Sequence, residues 1–249
     1  VNSVAPWLAQ IWRHPIKSHG REALDQVTLT TGATMPWDRR WAVAHAASNT
    51  DGTAWARCAN FSIGAKAPGL MAINAVADEA AGTVTLTHPN RPPLTFDPDT
   101  ESAVFLDWVR PLMPTDRAQS THIVRVPGRG MTDSDFPSVS IMNLATHRAV
   151  EQKLGRPLDI RRWRGNLWLD GLAPWQEFEW LGRDITIGPV TLRPMERIER
   201  CMATTANPDT GVRDGDTLGT LDTWGHRDFG LRAEVISTGT LNLGDEVSI

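Results

Sequence analysis

Over the first hundred residues, apolar and polar positions alternate in short spans that are separated by turn residues. Residues 7–12 are an apolar span that stops at Arg13-His14-Pro15. Residues 23–30 alternate, with Leu24, Gln26 and Thr28 on one face and Ala23, Asp25, Val27 and Leu29 on the other. That two-residue period predicts a strand with one buried side. Residues 41–44 form an apolar run behind Asp38-Arg39-Arg40. Residues 71–76 and 83–87 flank Ala80-Ala81-Gly82 and predict a hairpin. Pro92-Pro93 and Asp97-Pro98-Asp99 are expected to break the chain after it.

Two segments have a helical period instead. In residues 101–112, Val104, Phe105, Trp108, Val109 and Leu112 form one stripe, closed by Pro111 and Pro114. In residues 143–154, Leu144, His147, Val150 and Leu154 share a face, and Gly155 supplies the C-cap. Beyond these, short strands are expected at 167–169, 184–187, 190–192, 198–204, 233–236 and 246–249, with a short helix at 217–224. Many evenly spaced strands and few helices predict a mainly β (α+β) architecture with a closed barrel. Residues 128–138, rich in Arg, Gly, Ser and Asp, read as a long surface loop.

Composition narrows the class of protein. The 249 residues, 41% hydrophobic and 22% charged, suit an ordinary globular chain. A net charge of -4 argues against a general nucleic-acid surface. No apolar run reaches the roughly 20 residues that span a bilayer, and Val1–Pro6 lacks a secretory signal pattern. A cytoplasmic location and no membrane partner are therefore expected. Only three of the 25 basic residues are lysines, Lys17, Lys66 and Lys153. The two cysteines, Cys58 and Cys201, are far apart in sequence and cannot build a Cys₄ zinc or iron–sulfur centre.

Candidate chemistry gathers in a few places. In residues 200–211, Arg200 precedes Cys201, and Thr204 and Thr205 lead into Asn-Pro-Asp-Thr-Gly. A thiolate at such a rim can be a nucleophile or a metal ligand, and a half-buried, inert Cys is the alternative. After the first strand, His14-Pro15-Ile16-Lys17-Ser18 offers an ammonium and a hydroxyl suited to phosphate, unless Lys17 is simply solvated. Alternation would set Arg39 and Arg40 on opposite sides of their strand. Residues 161–166 hold three arginines and one Trp, and place Arg164 and Asn166 at a strand mouth. Cys58 follows Arg57 and is expected to be a core or rim thiol. Serine-hydrolase elbows, P-loops and zinc-spaced His pairs do not occur.

Taken in order, these elements resemble one family. His14-Pro15-Ile16-Lys17-Ser18, Asp38-Arg39-Arg40-Trp41, Ala56-Arg57, Arg164-Gly165-Asn166, the 200–211 stretch and the 239–247 tail are similar to MOSC proteins. Within that family they resemble the mitochondrial amidoxime-reducing component and its bacterial relatives. The resemblance implies a MOSC β-barrel (residues 116–249) intimately packed on an N-terminal β-rich subdomain (residues 1–115). A molybdenum–pterin cofactor would lie between them, with no iron–sulfur cluster or haem. It further implies that Cys201 ligates molybdenum and that Asp209 takes part in catalysis. Lys17, Ser18, Arg39, Arg57, Arg164, Asn166, Arg200, Thr204 and Thr205 would hold the cofactor. The expected activity is reduction of small N-hydroxylated compounds. A ferredoxin-like module is not expected after Ile249, and electrons are expected from a separate protein. The sequence departs from the family pattern at His14, where Tyr is usual, and at Asn207, where Asp is usual. Two rival readings are a cofactor carrier without turnover and an interaction module with a vestigial site.

Overall fold

The computed structural model of the chain describes residues 5–249, and the expectation for residues 1–6 falls mostly outside the described residues. The strands in chain order are β1 (Trp7–Arg13), β2 (Glu22–Leu24), β3 (Gln26–Leu29), β4 (Ala42–His45), β5 (Asn74–Asp78), β6 (Thr83–His88), β7 (Arg91–Phe96), β8 (Ser120–Val124), β9 (Val139–Asn143), β10 (Leu167–Asp170), β11 (Ile185–Ile187), β12 (Val190–Glu199), β13 (Asp228–Val235), β14 (Gly239–Asn242) and β15 (Val247–Ser248). Three α-helices join them: α1 (Ser102–Val109), α2 (Leu144–Leu154) and α3 (Thr217–Asp222).

Eight strands form one sheet in the order β15-β11-β12-β13-β9-β10-β1-β2. The row curls until its ends meet. Leu8 N donates to Asp245 O (2.8 Å), Gly244 N to Leu8 O (2.8 Å) and Val247 N to Pro6 O (2.7 Å). Closing the row in this way removes the exposed edges that a sheet otherwise presents. The interior is filled by Leu8, Ile11, Ile141, Leu167, Leu169, Ile187, Leu192, Leu231 and neighbours, all nearly inaccessible to solvent. β9 and β10 are parallel, and α2 makes the crossover between them. Asn143 caps α2 by accepting from Ala145 N, and Gly155 ends it with φ of 78°. The mainly β barrel expected from the sequence is the architecture found.

The alternating stretch 23–30 breaks at Asp25. β2 pairs with β1 and β3 pairs with β14, while Val27 and Leu29 are buried as the pattern required. A second core lies outside the barrel. There β4 pairs with β8, and β5-β6-β7 form a three-stranded sheet. Phe105, Trp108 and Val109 of α1 bury against Phe96, Val84 and Leu86, but Val104 faces solvent. Two expectations fail here for physical reasons. Residues 68–72 form a 3-10 turn and the hairpin strand begins only at Asn74, because the Pro68-Gly69 pair favours a tight turn. Pro92 and Pro93 do not break the chain but lie within β7, an edge strand, where a missing N–H goes unnoticed.

The stretch around Cys201 also differs from expectation. β12 is one continuous strand from Val190 to Glu199, and it ends before Arg200 rather than running to Thr204. Cys201 then caps a 3-10 turn, Met202–Thr205. A last cross-strand bond runs from Arg200 N to Arg227 O (2.9 Å), and the strand stops after it because Cys201 O accepts from Thr204 N (3.2 Å) and Thr204 Oγ1 (3.1 Å). Local hydroxyl bonds of this kind compete with a sheet ladder.

Candidate functional site

One pocket opens between the barrel rim and the N-terminal strands, with about 910 Å³ of space including its open mouth. Lys17, Ser18, Arg39, Arg164, Asn166, Arg200, Cys201 and Thr204 line it. Thus residues from four separate sequence elements converge on one cavity. Arg57, Thr205 and Asp209 do not line it. Arg57 is exposed. Thr205 Oγ1 donates to Met202 O (2.8 Å) and accepts from Arg213 (2.6 Å). Asp209 pairs with Arg161 at 2.8 Å. Asn207 also points away from the lining. Its side chain accepts from Asp209 N (2.8 Å) and donates to Asp214 (2.8 Å), so it builds the turn.

The N-terminal wall is set by a strained turn. Ser18 and Arg39 have positive φ (62° and 51°), as does Arg164 across the pocket (50°). Left-handed backbone at a side-chain-bearing residue costs on the order of 1–3 kcal/mol and persists only where the surroundings enforce it. Here they do. Arg39 N donates to His14 O (2.6 Å), Met131 N donates to Arg39 O (2.7 Å) and Lys17 N donates to Trp41 O (2.8 Å). The 128–138 loop presses onto this turn. A Cβ at Gly130 would come within 2.3 Å of Asp38 O, so only glycine fits. This loop, which read as a surface segment, is therefore folded into the pocket wall, with Thr132, Ser134 and Ser138 buried.

Asp38 lies beneath the turn, fully buried, and accepts from His14 N (2.8 Å) and from Arg39. Burial alone would raise its carboxyl, but Arg39 and the His14 bonds outweigh that and hold it below the usual carboxylate range. Burial, Arg164 and Arg39 bring His14 down to about 3, so it is neutral. Lys17 is not a solvated lysine. Its Nζ donates to Met131 O (2.7 Å) and to Asp133 (2.6 Å), which uses two of its three donors. Burial pushes Asp133 up, but Lys17 and then Arg39 bring it to about 2.

The barrel wall is built differently. Asn166 Oδ1 accepts from Ser140 N (3.1 Å) and Ser140 Oγ (2.8 Å), and its Nδ2 donates to Trp12 O (3.1 Å). It is a strut that ties β9, β10 and β1 beneath the pocket. Arg200 donates to Phe229 O and Trp163 O (both 2.8 Å) and lies over both rings, which themselves stack at 3.9 Å. Burial first, then Arg232, lowers Arg200 to about 9, still charged at neutral pH. Arg164 stands apart. The residue is half-buried and lines the pocket, and its Nη1 and Nη2 are both buried with no hydrogen-bond partner among the described residues. Burial, Arg39 and Arg21 lower it to about 9. An unpaired buried guanidinium is costly, and a bound anion is its natural partner.

Sequence reasoning missed several lining residues: Asp133, Thr132, Ser138, Ser140, Trp163 and Arg232. The only sequence signal was the run of hydroxyls and carboxylates just before β9. Cys58 also lines this pocket, at the start of the 3-10 turn Cys58–Asn60. Burial and Asp133 push its thiol up, Lys17 opposes them, and Cys201 adds to the rise. Among the described residues no three His, Cys, Asp or Glu side chains cluster as a metal site. No helix among them is long and apolar enough to cross a membrane.

Two family descriptions account for most of the sequence. "MOSC N-terminal beta barrel domain" matches residues 5–110, and "MOSC domain" matches residues 131–248. The chain belongs to the MOSC family. Mitochondrial amidoxime reducing component 2 of Bos taurus is 28% identical over 126 residues, covering 45% of this chain and 37% of that protein. Mitochondrial amidoxime-reducing component 1 of Mus musculus is 27% identical over 127 residues, covering 46% and 37%. The match thus spans well under half the length of these curated relatives. Among solved structures, the YuaD protein from Bacillus subtilis aligns over 98% of this MOSC chain and 94% of its own, with 12% identity and a TM-score of 0.47. YiiM from Geobacillus stearothermophilus aligns over 44% and 52%, with 18% identity and a TM-score of 0.33.

Proposed function

We propose that this MOSC chain binds a molybdenum–pterin cofactor in the pocket and reduces small N-hydroxylated compounds, with electrons from a separate protein. The observation that carries the reading is Arg164, whose two terminal nitrogens are buried, charged and unpartnered in a pocket that also presents the Cys201 thiol. Those residues fit the group: a guanidinium suits a phosphate, and a thiolate suits a soft metal. Arg164, Ser18 and the remaining donor of Lys17 would hold the phosphate-bearing part, and Cys201 would ligate the metal. When bound, the cofactor supplies two-electron oxygen-atom chemistry at the metal. Arg39 orients Arg164 by donating to its carbonyl oxygen (2.8 Å). Asp133 is the only carboxylate in the lining besides Glu199, and it holds Lys17 in place. The names of the amidoxime-reducing relatives support the substrate class.

The test is the metal and pterin content of protein made in cells that supply the cofactor, followed by reduction of benzamidoxime with a chemical electron donor. One molybdenum per chain and turnover are expected. Cys201→Ser should lose metal while keeping its circular dichroism, because a serine hydroxyl is a poor soft-metal ligand. Full metal loading and activity in that variant would overturn the reading. Metal retention without turnover, with transfer to an apo-enzyme, would favour the carrier alternative. No molybdenum at all would favour a vestigial site.

A further inference from the structure

The pocket contains both cysteines of the chain. Cys58 and Cys201, 143 positions apart in sequence, each line it and each is exposed. The segments that carry them are packed together. A Cβ at Gly64 would lie 3.5 Å from Ala203 Cβ, and Arg213, beyond Cys201, donates to Ala65 O (2.9 Å). Both cysteines sit at the start of one-turn 3-10 segments whose capping residues make no side-chain capping bond. The arrangement has no role in the function proposed above, which uses Cys201 alone.

We infer that Cys58 and Cys201 form a redox-active dithiol within the cofactor-free pocket. The oxidant is a low-molecular-weight disulfide such as oxidised glutathione. One cysteine thiolate attacks a glutathione sulfur, a mixed disulfide forms, and one glutathione leaves as a thiol. The second cysteine thiolate then attacks the protein sulfur of that mixed disulfide and releases the second glutathione. Two protein thiols lose two protons and two electrons, and one oxidised glutathione becomes two reduced ones. Oxidation would thereby withdraw the thiol offered to a soft metal, and reduction would restore it. Cross-linking needs the two Cα atoms within about 7 Å, a demand that experiment can check directly.

The test uses the full chain produced without cofactor. It is equilibrated with oxidised glutathione, quenched with acid and examined by thiol titration and peptide mapping without reductant. The expected result is a fall from two free thiols per chain to none. A peptide pair joined through Cys58 and Cys201 should appear and be released by dithiothreitol. Cys58→Ser and Cys201→Ser should each keep a stable glutathione adduct on the remaining cysteine, since no resolving thiol is left. A wild-type chain that carries separate adducts on both cysteines, or that stays fully reduced while the single variants react, overturns the inference. Molybdenum content, measured separately, tests the cofactor reading. A missing cross-link with normal metal loading sinks only the dithiol, and a cross-link without metal loading sinks only the cofactor.

Discussion

The two walls of the pocket hold cations of the same kind in opposite states. On the N-terminal wall, Lys17 is tied to Asp133 and Met131 O, and Arg39 is tied to Asp38 and to the Arg164 carbonyl. On the barrel wall, Arg200 is spent on carbonyls and rings, but Arg164 keeps both ends of its guanidinium unpartnered. The first wall is a neutralised scaffold and the second supplies unbalanced charge. A cationic motif therefore does not by itself mean a cation available to a ligand. Availability depends on which carboxylates the fold brings alongside.

The largest expected break in this contrast is Asp38→Asn. It would leave Arg39 without its buried counter-charge and turn one of the two acceptor oxygens shared by Arg39 and His14 N into an amide donor. Removing one partner of a buried pair costs about 3–5 kcal/mol. Urea denaturation followed by Trp fluorescence should show a loss of that size. A variant as stable as the parent would show that the scaffold wall does not depend on its carboxylate.

Acid should loosen the same wall. His14 and His19 are buried and held at about 3 and about 4, against 6.5 when exposed. Burial is the main cause for both. The unfolded chain therefore takes up protons between those values that the folded chain refuses, so stability rises with pH through this window and falls as pH drops below about 6.5. Between pH 7.5 and pH 5, each histidine should cost about 2 kcal/mol, at 1.36 kcal/mol per pKa unit. Denaturation midpoints at the two pH values, compared with those of His19→Gln, check it. An unchanged midpoint in the wild type would mean that the histidines are not neutral in the folded state.

Arg164→Met separates stability from binding. The buried charge has no partner, so replacing it with an apolar side chain should leave the denaturation midpoint unchanged or raise it. Affinity for inorganic phosphate, as a probe of the anion site, should fall by roughly 10- to 150-fold, for a charge-assisted contact worth about 1.5–3 kcal/mol. Equal phosphate affinity in variant and parent would place the anion elsewhere.

The contrast between the walls also explains what could be read from the sequence. Buried positions followed from periodicity: Val27 and Leu29 in β3, and Phe105, Trp108 and Val109 in α1, lie inside as their spacing required. The convergence of Lys17, Arg39, Arg164 and Cys201 on one pocket was legible only through the resemblance to MOSC proteins, since local pattern does no more than set each beside a turn. The pairing state of each was not legible. Asp133 lies 116 positions from Lys17, and nothing local in the sequence announces that the 128–138 loop folds inward. Nor does alternation reveal that Asn166 spends its amide on Ser140 and Trp12, or that Asp209 turns toward Arg161. Cys58 was legible as a rim thiol at most, because the pocket it shares with Cys201 is formed only by tertiary folding.

Asp133→Asn is the mildest change and the one that sharpens the contrast most. Asp133 is about half exposed, so its pair with Lys17 is screened by water and salt, and losing it should cost at most about 1 kcal/mol. Its carboxyl is held at about 2, below the ordinary value of 3.8. Its contribution is therefore complete above pH 3.8 and disappears as pH falls through 2, so wild type and variant should differ most at neutral pH. The effect on binding should be opposite in sign. With the carboxylate gone, Lys17 keeps its charge but loses its counter-ion, and the N-terminal wall becomes as unbalanced as the barrel wall. Phosphate should then bind several-fold more tightly at low ionic strength, and the gain should shrink as salt shortens the Debye length toward about 8 Å at 0.15 M. Titration calorimetry of parent and variant at two salt concentrations measures both quantities. Weaker phosphate binding in the variant would mean that Asp133 holds Lys17 in the geometry an anion requires, and the distinction between a neutralised wall and a charged one would fail.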